Sequence, residues 1–226
     1  MRVFLIGLAV VMLSLGRAAA GDWSGFYVGA DAGLAAGDGG FTTSLTGDSP
    51  DFDLLGAALG VNVGHRWQSG DLVLGLETAA SWQPFGDERT SPLVSAITYR
   101  LDLDWMLRTT ASLGYAKGAW LASARLGHAA GAVQTSGRHA TLPDSFSASR
   151  VQHGITAGAG MERRFSRHLS AGLVYDYTHL FGVDHGGRTA LGYDYVNAGV
   201  SVDLHTISAR LSYRFAGPAP QDLAAN

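Results

Sequence analysis

The 226-residue chain contains no cysteine, so neither a disulfide framework nor a thiolate metal site is available to it. Proline is scarce, 6 residues against 31 glycines, which excludes both a collagen-like and a Pro-rich disordered chain. Long apolar runs are missing too. Residues 3–15 are apolar apart from Gly7 and Ser14, but this run is shorter than the about 20 residues a transmembrane helix needs. With Arg2 before it and Ala18, Ala19 and Ala20 after it, the run has the layout of a cleaved export signal over residues 1–20. Removing those residues takes away Arg2 and Arg17 and leaves 14 Lys+Arg against 19 Asp+Glu, a formal net charge of −5. A nucleic-acid partner would need a clustered basic face, so none is expected.

What the chain does have is alternation. Apolar and small or polar residues alternate with period two over residues 26–34, 55–64, 72–82, 103–115, 120–127, 155–162, 169–178 and 206–215. This is the signature of strands with two unlike faces. One face carries Leu and aromatic residues; the other is rich in Gly, Ala and Ser, which suits a narrow interior. Short turns at residues 68–71, 116–118 and 166–168 alternate with longer stretches at 36–53, 84–98, 133–150 and 181–197, read as four loops. The expected fold is all-β, an eight-stranded antiparallel up-and-down transmembrane β-barrel over residues 21–217, with a flexible periplasmic tail over 218–226. A soluble eight-stranded barrel would place the large apolar residues inside instead. Trp67, Tyr115, Trp120, Phe165 and Phe215 lie beside the short turns or the final strand end, where one girdle of interfacial aromatics belongs.

Trp23-Ser24-Gly25-Phe26-Tyr27-Val28-Gly29 resembles the opening strand of small porin-like outer-membrane surface proteins of Gram-negative bacteria, relatives of the OmpA-like eight-stranded barrels. Further matching pieces are Gly75-Leu76-Glu77, Leu113-Gly114-Tyr115-Ala116, Ala157-Gly158-Ala159-Gly160-Met161-Glu162, and His205-Thr206 leading to Leu211-Ser212-Tyr213-Arg214-Phe215. The resemblance spans nearly the whole exported chain. It implies a bacterial outer-membrane location, a structural or surface role, and a final strand read by the barrel-assembly machinery. The family's paired Arg residues fall here on Thr110 and Ser112, and its Lys and Glu of the seventh strand on Gly172 and Val174.

Inward parity is assigned to Asp31, Glu77, Asp104, Glu162 and Asp176 and to Arg108, Arg125, Arg210 and Arg214. Charges enclosed in a barrel must be paired, so an interior salt-bridge network is expected rather than acid/base catalysis. Ser170, His153 and His179 are the available nucleophile and base types, and no spacing selects them. Counting upward from the turn edges places Trp82, Trp105, His128, His153, His179 and His205 in an outward belt near the outer-leaflet interface, where lipopolysaccharide phosphates lie. The expected function is non-enzymatic: a barrel that supports the envelope and displays its loops, among outer-membrane lipids and lipopolysaccharide. No cofactor is expected. A narrow channel, a haem- or metal-binding surface protein and a lipid A-modifying enzyme are the alternatives.

Overall fold

The computed structural model describes residues 22–91 and 93–215; the export signal expected over residues 1–20 and the tail expected over 218–226 lie outside them. The described residues form eight strands: β1 (Gly25–Thr43), β2 (Asp51–Ser69), β3 (Leu72–Thr90), β4 (Ile97–Lys117), β5 (Trp120–His139), β6 (Ser145–Arg164), β7 (Leu169–Arg188) and β8 (Asp194–Arg214). Each pairs antiparallel with its sequence neighbour, and β8 pairs with β1 to close the ring. In the turn-end half of the wall closure pairs each strand on both sides, as a lipid surround requires. At one end Gly70 (φ 60°) and Gly118 (φ 59°) supply the left-handed backbone of two tight turns.

The strands are 19 to 21 residues long, about twice what crosses a bilayer. Their two halves follow opposite rules. Near the turn end the apolar set points outward: Phe26 is 63% exposed, Val61 63% and Leu126 64%, a surface that belongs in lipid rather than water. Toward the far end it points inward. Phe41, Phe52, Leu54, Phe85, Tyr99, Leu101, Leu103, Phe146, Tyr195, Val200, Val202 and Leu204 are buried in one core.

The switch lies close to irregularities in the ladders between Trp82 and Phe85, between Leu103 and Met106 and beyond Leu180, and a further one lies higher up between Gly40 and Thr42. It also coincides with two seams. The β2–β3 ladder runs from Ser69↔Leu72 to Leu59↔Trp82, and the β6–β7 ladder from Arg164↔Ser170 to Gly154↔Leu180. The other ladders continue nearly to the strand tips. Above the seams the wall is therefore two four-stranded sheets, β7-β8-β1-β2 and β3-β4-β5-β6, packed face to face. Phe41 meets Tyr99 across this interface with ring centroids 6.0 Å apart, and Phe146 meets Tyr195 at 4.4 Å.

The four long loops expected from sequence are corrected accordingly. The connections at the far end span residues 44–50, 91–96, 140–144 and 189–193, and most of the stretches read as loops are paired strand. Once the strands leave the lipid their outer face meets water. The outward apolar residues thin out to a few such as Val151 and Val196, and with them goes the signal that identified a strand.

Candidate functional site

The lower interior is filled by a lattice of four carboxylates and four guanidinium groups, contributed by all eight strands. Arg210 (β8) donates from Nε to Asp31 Oδ1 (β1) at 2.7 Å and from Nη2 to Glu77 Oε1 (β3) at 3.0 Å. Arg125 (β5) donates from Nη1 to Glu77 Oε1 at 3.3 Å and from Nε to Asp176 Oδ1 (β7) at 2.7 Å. Arg108 (β4) donates to Asp176 Oδ2 at 2.8 Å, and Arg66 (β2) makes a two-pronged pair with Glu162 (β6). Neutral donors occupy the remaining carboxylate positions: Asn62 Nδ2 to Asp31 at 2.9 Å, the Tyr27 hydroxyl to Glu77 at 2.7 Å and the Ser170 hydroxyl to Glu162 at 3.2 Å. Charge is thus balanced inside a low-dielectric wall, the condition under which buried ions persist. Glycine makes the room: a Cβ on Gly158 would sit 2.3 Å from Asp176 Oδ1, and one on Gly64 would sit 2.5 Å from the Tyr27 hydroxyl. The space left beside the lattice is ≈ 20 Å³, enough for about one water.

Two expected members of this lattice lie elsewhere. Asp104 is exposed on the outer surface. The β4–β5 ladder steps from Leu103↔Val133 to Met106↔Gly131, so Asp104 and Trp105 share one place in the register. The extra residue shifts the phase of the strand; Leu103 turns inward at 1% exposed and Asp104 turns out. Arg214 keeps its inward parity but sits at the turn end, where its partners are the carbonyl oxygens of Ser24 and Arg167, each at 2.8 Å. It fastens backbone and takes no part in the carboxylate lattice.

Sequence reading missed Arg66 and Arg164, both buried. Arg66 continues the inward parity of Asn62 and Gly64, and extending that strand by one step would have found it. Trp23, 2% exposed, closes the turn-end mouth under the Arg164 guanidinium, 4.2 Å from its ring. A second buried polar group in the far half also went unread: the His185 ring nitrogens lie 3.2 Å from Thr135 Oγ1 and 3.0 Å from Gln152 Nε2, and Asn197 Nδ2 donates to Thr135.

On the outer face, Trp67, Tyr115, Trp120 and Phe215 are exposed and Phe165 is half-buried around the turn end. His65 joins them, its ring between those of Phe26 (4.4 Å) and Trp67 (4.3 Å). Farther up, Trp82 stands directly opposite Trp105. His128 Nε2 lies 3.1 Å from His153 Nδ1, His179 Nδ1 2.9 Å from Asp203 Oδ1, and His205 Nδ1 2.8 Å from the Tyr175 hydroxyl. Ser170 faces the interior while His153 and His179 face out, so the wall separates these candidate catalytic types.

A 22 kDa outer membrane protein of Rhizobium leguminosarum bv. viciae is 28% identical to this chain over 178 residues, 77% of this chain and 74% of that protein. Among solved structures, the outer membrane protein OprG from Pseudomonas aeruginosa matches with a TM-score of 0.55 at 14% identity, covering 88% of this chain and 100% of that one. Neisserial surface protein A matches with a TM-score of 0.43 at 17% identity, over 85% and 98% of the two chains. The family model of the outer membrane protein beta-barrel domain matches residues 5–215, and the chain belongs to that family as a protein of the outer membrane.

Proposed function

We propose that this protein is a non-enzymatic, non-conducting barrel that supports the outer membrane and carries a rigid projecting head, the two-sheet half of the fold. The observation behind this reading is that the bore is filled along its length. Trp23 closes the turn end, the ion lattice fills the lipid-level interior, and an aromatic and aliphatic core fills the head. An eight-stranded barrel is just wide enough for side chains to fill it, and here they do.

In this reading the turn end faces the periplasm and the head faces outside. Trp67, Tyr115, Trp120, Phe165 and Phe215 take the inner-leaflet interface, and the Trp82–His205 belt lies at the level of lipopolysaccharide headgroups. The terminal strand ending at Phe215 is the part offered to the barrel-assembly machinery.

Planar-bilayer recording on detergent-refolded protein tests the reading. The expected record is a flat baseline across ±100 mV, roughly the scale of a membrane potential. Reproducible unitary steps from folded protein, absent from heat-denatured controls, would overturn it in favour of a channel.

A further inference from the structure

We propose that His128 and His153 form a two-ligand site for a divalent transition-metal ion on the outer face of the wall, at the foot of the β6–β7 seam. The register produces the pair. Ala130 stands opposite His153 and His128 opposite Ile155, so the two histidines are diagonal neighbours on one face. Both side chains are exposed. Gly154, beside His153, makes the last β6–β7 pair with Leu180, so the site lies where the continuous wall ends and the head begins.

The geometry is that of a chelate. A metal–imidazole nitrogen bond of about 2.0–2.1 Å, at angles between square and tetrahedral, sets two ligand nitrogens about 2.9–3.4 Å apart. His128 Nε2 and His153 Nδ1 are 3.1 Å apart, with ring centroids separated by 5.1 Å and planes tilted by 31°. A hydrogen bond between the two rings holds the same nitrogen spacing when no ion is present, so binding needs the rings to turn about their own side-chain bonds and the backbone to move little.

The neighbourhood does not oppose a cation. Outward positions around the pair are Leu126 and Ile155 on its own two strands, Leu107 and Thr109 on β4, and His179 on β7, opposite Ile155, whose ring nitrogen is taken up by Asp203. The other belt histidines are committed differently: His179 faces Asp203, and His205 faces the Tyr175 hydroxyl. Imidazole donors select borderline metals such as Cu²⁺, Ni²⁺ and Zn²⁺ over Mg²⁺ or Ca²⁺, and two protein ligands leave the remaining positions to water.

The test uses untagged, detergent-refolded protein titrated calorimetrically with Cu²⁺, Ni²⁺ and Mg²⁺, with electron paramagnetic resonance of the Cu²⁺ form. The expected result is one saturable Cu²⁺ site, tighter than for Ni²⁺, without Mg²⁺ binding, and with hyperfine splitting from two nitrogens. His128→Gln and His153→Gln should each weaken Cu²⁺ at least about tenfold and lose one nitrogen coupling, while His205→Gln binds as the parent does. Heat-modifiable gel migration establishes that each variant is folded. Absence of saturable Cu²⁺ uptake, unchanged affinity in the folded H128Q/H153Q double variant, or an equal loss in H205Q would each overturn the assignment.

Discussion

At the scale of single residues, the interior lattice makes a sharp energetic statement. Glu162 faces Arg66 in a pair that is almost wholly shielded from water, with the Ser170 hydroxyl as its third donor. Removing one partner of a buried pair leaves an uncompensated charge and costs about 3–5 kcal/mol, whereas replacing both by apolar side chains of similar size is close to neutral. Glu162→Met should therefore lower the urea midpoint of unfolding strongly, and adding Arg66→Met should recover most of the loss. A double variant as unstable as the single one would mean that Arg66 contributes chiefly by lying over Tyr27, 4.3 Å from its ring. The residues of this lattice were largely readable from sequence, because period-two counting from a lipid-facing Leu or Val gives the facing of every neighbour. Asp31, Glu77, Arg108, Arg125, Glu162, Asp176 and Arg210 follow from that count. Asp104 does not, since one extra residue reverses the count beyond it, and nothing in the local composition marks the insertion.

That insertion is the central fact at the scale of the element. Strand β4 carries Leu107 and Leu113 outward in its lower half and Tyr99, Leu101 and Leu103 inward in its upper half. The bulge at Asp104–Trp105 changes the facing between these runs, so each apolar set meets an apolar surround. In sequence the two runs merge into one alternating series from Leu103 to Tyr115, which is why the strand was readable but its change of facing was not. The upper strand halves suffered more: with water outside, Glu88, Arg100 and Arg138 take outward positions, and the segments look like loops. Deleting Asp104 tests the point. The deletion should restore a single phase, forcing either Tyr99, Leu101 and Leu103 into water or the lower leucines into the bore. The expected outcome is a barrel that still inserts but whose residues 97–103 become sensitive to protease, a stretch the parent protects in its head. Protection equal to the parent would show that the bulge is not what orients the upper strand.

At the scale of the whole molecule, the same change of pattern predicts where the membrane stops. The belt of Trp82 and Trp105 lies at the switch; below it the outer surface is apolar, and above it are residues such as Thr42 and Glu88. The absence of native cysteine makes this boundary directly measurable, since any introduced thiol is the sole one in the chain. Three outcomes are expected for single-cysteine variants labelled with a hydrophilic maleimide in lipid vesicles. Thr42→Cys and Glu88→Cys, outward on the head, should react readily. Ala111→Cys and Ala209→Cys, outward below the belt, should be shielded by acyl chains. Val202→Cys, 1% exposed in the head core, should stay unreactive until the protein is unfolded. On intact cells, reaction of Glu88→Cys with a membrane-impermeant maleimide should match the reaction after the outer membrane is permeabilised, as the proposed outward orientation of the head requires. Reaction of Glu88→Cys only after permeabilisation would invert the molecule in the membrane. Ready labelling of Ala111→Cys would instead move the lipid band off the lower half altogether, and with it the physical reason for the two opposite patterns.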